Sequence, residues 1–378
     1  MSQTKVAASF VSNNANFRNL IINGDMSIFQ RATATTTVSN GTYQTADRFK
    51  LHESTDGAYT AELENLSVAD QATTGQRTAL ELNVTTADGT IGSSQFAAIY
   101  HPIEAQFLQH ILYGTSAAKD LTLSFWVKSN KTGTYCVAMD KNDNTAYRLP
   151  IEYTISSANT WEKKVIHISP TAGSTSLITA SGAAIDNDNG TGMIVTFGLA
   201  WGSSYQGTNN TWVTGNAYAT SNQVNWMGST SNNFYITGVQ LEVGSTATDF
   251  EHLPFDVQLN RCFRYYMDFA NTDADIINPG TGIYLCNSFY YTAGNVLGIL
   301  HYPVPMREEA TLTTADTSNA FYVYHNNQGD GLNSLSANAQ SNRLSCVLQN
   351  QSEASGTIGH AGGIYLNSPN AFNLSAEL

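Results

Sequence analysis

Charge is what this 378-residue chain has least of: Asp, Glu, Lys and Arg make up 12% of it, about half the usual share of roughly 25%. Cations are the scarcer sign, 17 Lys and Arg against 30 Asp and Glu, for a formal charge of −13, and they form no basic run. A phosphate backbone or an anionic membrane surface needs clustered cations, so nucleic acid is not expected as a partner. No apolar stretch approaches the roughly 18–20 residues of a membrane-spanning helix, which argues against membrane insertion. The opening residues, MSQTKVAASFVSNNANF, lack the apolar centre of a secretory signal. The chain is therefore expected to stay in the cytoplasm where it is made, or to leave by lysis. There are four cysteines, Cys136, Cys262, Cys286 and Cys346, and none forms a CxxC pair. That removes the usual zinc-knuckle and thioredoxin-like patterns and leaves buried free thiols as the expectation.

Catalytic signatures are missing too. The chain has no GxSxG elbow, HExxH, P-loop or strand–GxGxxG–helix pattern. Glycan cleavage needs two carboxylates flanking a sugar bond, and with 30 acidic residues spacing alone identifies no pair. Glu308 and Glu309, after a proline-rich turn, read as solvated loop charges. The histidines are scattered, with no two at metal-ligand spacing. The chain is expected not to be an enzyme.

What is present is a strand-and-turn composition: 42% hydrophobic residues, 19 Tyr, 16 Phe and 29 Gly, with abundant Asn, Ser and Thr. Such a mixture favours strands and turns over helices. Alternating polar and apolar residues mark strands at TAELENLSV (60–68), TALELNVTT (78–86) and LTLSFWVK (121–128). Apolar residues near helical spacing from Gln95 to Leu112 predict one helix, although Pro102 counts against an unbroken one. A short helix is expected after Pro254. The chain reads as all-β: a flexible arm at 1–16, a jelly-roll β-sandwich at 17–252, a short helical connector at 253–267 and a smaller β-sandwich at 268–378.

Three segments carry a resemblance. Asn19-Leu-Ile-Ile-Asn-Gly-Asp-Met-Ser-Ile-Phe-Gln-Arg resembles the opening strand of many phage tail-fibre and virion structural proteins, followed by Thr45-Ala-Asp-Arg-Phe. Gly238-Val-Gln-Leu-Glu-Val-Gly-Ser-Thr-Ala-Thr-Asp-Phe-Glu-His resembles that family's closing strand, continued by Asn260-Arg-Cys-Phe-Arg-Tyr-Tyr. The third is His301-Tyr-Pro-Val-Pro-Met-Arg with the terminal Leu374-Ser-Ala-Glu-Leu. The first half is also similar in layout to jelly-roll carbohydrate-binding modules. The resemblance implies a virion protein, made in the host cytoplasm and released by lysis.

Within that frame the stretch from 201 to 226 stands out, for it holds Trp201, Tyr205, Trp212, Tyr218 and Trp226 and no charge at all. Aromatic rings stack on the apolar faces of sugars while amides and hydroxyls bond their hydroxyl groups, so these five are the candidate glycan contacts. The competing expectation is core or interface packing. Phe289-Tyr290-Tyr291 and Phe321-Tyr322-Val323-Tyr324 offer a second aromatic surface, in which alternate members should be buried. Oxygen-rich turns at 140–144 and at Asp186 and Asp188 suit calcium. The resemblance to jelly-roll modules adds a structural calcium near Asp25 and Asp249. The functional expectation is a short homotrimeric tail fibre or knob, bound to other virion proteins and attaching the particle to host surface glycans. A capsid decoration or tail-adaptor protein, and a glycan depolymerase, remain as alternatives.

Overall fold

The computed structural model describes residues 18–269, 282–314, 317–326, 328–367 and 372–378. The arm expected at 1–16 lies outside them. The protein is all-β. Alternation builds its strands directly: in Leu121–Ser129, the side chains of Leu121, Leu123, Phe125 and Val127 are fully buried on one face.

Two antiparallel sheets form the first sandwich. One runs in the order Thr36–Thr37, Ala58–Asn65, Thr78–Thr86, Asn233–Val243, Leu121–Ser129, Glu162–Ile168. The other runs Lys50–Glu53, Phe96–Glu104, Thr191–Trp201, Gly133–Lys141, Tyr147–Ile155. The chain crosses repeatedly between them in jelly-roll fashion, and their inner faces interlock edge to face. Phe125 of the first sheet meets Phe197 at 5.1 Å and Tyr153 at 5.2 Å, both from the second. The opening segment closes the sandwich by lying along its last strand, with Leu20 N donating to Leu241 O and Val239 N to Gly24 O, each at 2.8 Å. Gly24 is required there, since a Cβ would stand 2.0 Å from the Val239 carbonyl oxygen.

One expected element is different. Residues 96–104 form a central strand and only 105–111 turn into a 3₁₀ helix. The strand Lys50–Glu53 pairs only as far as Tyr100, so Pro102 lies past its end, where the missing N–H costs no ladder bond. The apolar spacing that imitates a helix is that of a strand buried on both faces.

The second part of the chain packs a seven-stranded sheet on a three-stranded one. The larger runs Gln328–Leu332, Phe321–His325, Ala361–Leu366, Ile283–Thr292, Asn295–His301, Ser345–Asn350, Ser336–Ala337, and the smaller Tyr266–Asp268, Phe372–Ser375, Thr311–Thr314. Phe321 against Phe372, at 6.0 Å, joins their inner faces.

Between the two parts, the helix Phe255–Phe263 follows Pro254 as expected, but it is no loose connector. Cys262 and Tyr265 are buried with Ile22 and Ile28 of the first sandwich. Around them lies a buried ionic seam. Glu104, fully buried, accepts from Arg264 at 2.5 and 2.9 Å and from the Tyr265 hydroxyl at 2.7 Å. The Glu377 carboxylate accepts from Arg31 at 3.0 Å and pairs with Arg48. The Arg48 guanidinium also stacks 3.6 Å from the centre of the Tyr265 ring and donates to Pro102 O. A buried charge is tolerated only when paired and hydrogen-bonded, so these contacts hold the two parts in register.

Candidate functional site: two outward sheet faces

Alternation that sends Leu51, Ile99, Val137 and Phe197 into the core turns His52, Phe96, Ala98, Tyr100, Cys136 and Asp140 outward on the five-stranded sheet. This face is covered by the chain's own loop. Val224 N donates to Thr134 O, Asn210 N to Pro150 O and Val213 N to Arg148 O, at 2.8–2.9 Å, spreading residues 203–224 across the strands. Glu152 receives the Thr220 hydroxyl at 2.5 Å and the Asn222 amide at 3.0 Å. Tyr218 donates to Asp140 at 3.2 Å, beside the Arg148–Asp140 pair at 3.1 Å. Thr220 N points at Cys136 Sγ, and burial pushes that thiol up to about 11.

The five aromatic residues expected to touch glycan are consumed by this arrangement. Trp212 is 1% exposed, with its indole N–H on Ser169 O at 2.8 Å. Trp226 is 0% exposed and donates to Asn233 O at 3.0 Å. Trp201 is sandwiched: Phe96 lies 4.8 Å away at 6° and Tyr218 lies 4.8 Å away at 7°, so both indole faces are taken. Tyr205 stands edge-on to all three rings. The three tryptophans therefore offer no face to a sugar, and only half-buried Tyr205 and Tyr218 reach the surface. What remains open is a hollow of about 240 Å³ beside Lys50, His52, Tyr100, Ile194 and Leu378. There burial, with Lys50 nearby, lowers His52 to about 4 and keeps the ring neutral.

The calcium expectation finds no donor cluster: among the described residues no group of three or more His, Cys, Asp or Glu could hold a metal. Asp25 accepts from Ser27 and Gln258. The two oxygen-rich turns do meet, but they bond each other. Asp186 N donates to Asp143 at 2.6 Å, Asn144 donates to Asp186 at 3.2 Å, and Asp188 accepts from Gly190 N. Asp249 is engaged through its backbone carbonyl, which accepts from Arg18 at 2.6 Å and from Gln240 at 3.3 Å.

The second aromatic surface behaves as alternation predicts. Tyr290, Phe321 and Val323 are fully buried, whereas Phe289 is 43%, Tyr291 62% and Tyr324 51% exposed. On the outward face of the seven-stranded sheet, Tyr284, Tyr365 and Tyr322 sit at directly paired positions on three neighbouring strands. Tyr284–Tyr365 at 5.2 Å and Tyr324–Tyr365 at 5.1 Å touch edge to face, and Tyr322 stacks on Tyr324 at 5.7 Å. Glycines make the room. A Cβ on Gly363 would come within 2.6 Å of the Tyr284 ring, and Gly329, paired with Tyr324, has that ring at 3.1 Å. A hollow of about 500 Å³ opens beside this row, lined by Tyr284, Asn287, Phe289, Ile299 and His301 among others. Tyr284 donates to Asn287 Oδ1 at 2.6 Å, which fixes the amide. The sequence signal for this face, beyond its aromatic residues, is an absence: the five adjacent strands FYVYH, AGGIYL, IYLCNSFYYT, NVLGILH and SCVLQN contain no Asp, Glu, Lys or Arg.

No family model and no curated protein matches the sequence. Among solved structures, a Bacteroides thetaiotaomicron protein named as a candidate sugar-binding protein aligns over 60% of this chain and all of its own, at 12% identity and a TM-score of 0.33. The enzymatically active domain of bacteriophage CBA120 tailspike protein 4 aligns over 60% of this chain and 22% of its own, at 14% and 0.28. The family 11 carbohydrate-binding module of a Clostridium thermocellum cellulosomal cellulase aligns over 57% of this chain and 98% of its own, at 10% and 0.28. Likenesses this remote assign no residue a role.

Proposed function

We propose that this chain is a non-enzymatic, glycan-binding attachment protein of a bacteriophage particle, and that it holds sugar on the outward face of the seven-stranded sheet. One observation carries the reading: Tyr284 and Phe289 line an open hollow and Tyr324 joins Tyr284 through Tyr365, all three over 40% exposed on uncharged strands. Folded chains rarely leave large apolar rings grouped in water without a partner for them. The same strands hold no Asp or Glu, so the face lacks the carboxylate pair that glycoside cleavage uses. The particle setting rests on the sequence resemblance at 19–31, 238–252 and the C-terminal segments. Avidity from a trimer would make weak sugar contacts sufficient.

A glycan array probed with the full chain tests the reading. Wild type should bind at least one sugar, and a Tyr284→Ala/Tyr324→Ala double variant should lose that signal while melting at nearly the same temperature. Retained binding by the double variant would move the site elsewhere. A second reading, a capsid decoration or tail-adaptor protein, draws on the same exposed rings as a protein-docking surface. It predicts tight binding to empty capsids or tails and silence on the array.

A further inference from the structure

Resting on the reading of the seven-stranded face as a sugar platform, we infer that its ligand is an uncharged glycan engaged over at least two sugar rings, and that acidic glycans are rejected there. Five adjacent strands supply the whole central surface without one Asp, Glu, Lys or Arg. A carboxylate, sulfate or phosphate laid on it would shed water and find no cation in exchange, and an uncompensated charge leaving water is costly. The formal charge of −13 adds repulsion during approach, over a range of about 8–10 Å at ordinary ionic strength. Neutral sugars face neither cost. Ring faces from Tyr284, Tyr324 and Tyr365 meet their apolar faces, and the Asn287 and Gln349 amides, the tyrosine hydroxyls and His301 provide donors and acceptors for hydroxyl groups.

The geometry also sets a minimum length. Tyr284, Tyr365 and Tyr322 lie in one row across three strands, and at roughly 4.8 Å between strands the row spans about 10 Å. That is longer than one sugar ring. Tyr324, two positions along from Tyr322 on the same strand, widens the row to a second track.

The discriminating experiment uses the full chain and a panel of gluco-, galacto- and manno-hexaoses, each paired with its C6-carboxylated counterpart. Binding is followed by calorimetry at about 0.02 M and about 0.5 M salt. At least one neutral hexaose should bind with salt-independent affinity, its monosaccharide far more weakly, and its carboxylated twin at least about tenfold more weakly. An Ile299→Lys variant, at a position 48% exposed and so tolerant of the change, should recover much of the carboxylated twin's binding at low salt and lose it at high salt. Acidic members binding wild type as tightly as neutral ones, in a manner abolished by Tyr284→Ala/Tyr324→Ala, would overturn the inference and leave the sugar platform standing. Binding by no member of the panel, neutral or acidic, would bring down the platform and the inference together.

Discussion

On the five-stranded sheet Trp201 lies between Phe96 and Tyr218 with Tyr205 closing over them. On the seven-stranded sheet Tyr284 and Tyr324 meet Tyr365 edge to face, Tyr324 also stacks on Tyr322, and Tyr284 and Tyr324 stay 48% and 51% exposed. Both outward faces are aromatic; the first also carries Asp140, Arg148 and Glu152 under its loop, whereas five adjacent strands of the second hold no Asp, Glu, Lys or Arg. The difference is what lies above them. A loop of about twenty residues spans the first, tied down by backbone bonds and by Glu152 and Asp140; no such loop crosses the second among the described residues. Aromatic composition alone therefore says little about a surface. The informative feature is whether the ring faces are already covered, as both faces of the Trp201 indole are.

The hardest test of that contrast is stability. Trp201→Ala should cost about 3–5 kcal/mol by emptying the slot between Phe96 and Tyr218, while Tyr324→Ala, at a half-exposed position, should stay within about 0.5 kcal/mol. Urea titrations of the two variants settle this, and equal losses would erase the distinction between a covered face and an open one.

A second test asks whether the two faces belong to one folding unit. Asp47, 1% exposed, is pushed up to about 6 by burial, against the pull of Arg31 and the Gln30 hydrogen bonds. Between about pH 4 and 6 the unfolded chain has already released this proton and the native one retains it. Stability should therefore fall by about 3 kcal/mol as pH rises through that window, and stay level above it. Asp47→Asn should remove the slope. All five tryptophans, Trp126, Trp161, Trp201, Trp212 and Trp226, lie in the first sandwich. If tryptophan fluorescence and total ellipticity shift together with pH, the seam unites the halves; if only fluorescence moves, they unfold separately.

Smaller effects sharpen the picture further. Thr220→Val removes the hydroxyl that Glu152 holds at 2.5 Å and leaves a carboxylate short of a partner. A loss of about 1–3 kcal/mol is expected, with faster amide exchange confined to residues 203–222. Glycan affinity should be untouched by that change. Tyr365→Ala, in the middle of the tyrosine row, should instead weaken sugar binding about tenfold, or about 1.4 kcal/mol, at unchanged fold. Thr220→Val weakening sugar binding as much as Tyr365→Ala would return the site to the five-stranded face.

Much of the architecture was legible in the sequence because strands write themselves with a period of two. The alternation at 78–86 and 121–128 marks strands, and Pro254 announces the helix Phe255–Phe263. The alternation in Phe289-Tyr290-Tyr291 even assigns which rings are free. The strand at 96–104 imitates a helix in sequence because burial on both sides erases the alternation. The role of the 201–226 stretch was hidden for another reason. Its partners are mostly backbone carbonyls and acids distant in the chain, such as Ser169 O and Glu152, which leave no local trace. The uncharged strands were visible one at a time, but their adjacency depends on sheet order. The seam was not legible at all, since Glu377 and Arg48 are 329 positions apart.

That last separation has a kinetic side. Closing a loop of more than three hundred residues carries a large entropic cost before any contact repays it, and contacts of such range form late in folding. The Glu377 clasp on Arg31 and Arg48 can then be made only after both sandwiches have found their shapes. Until that moment the two guanidiniums wait beside Tyr265 and Tyr266 with their main counter-charge missing. The clasp thus couples the two sandwiches: wherever Glu377 is undocked from Arg31 and Arg48, the seam between them is loosened.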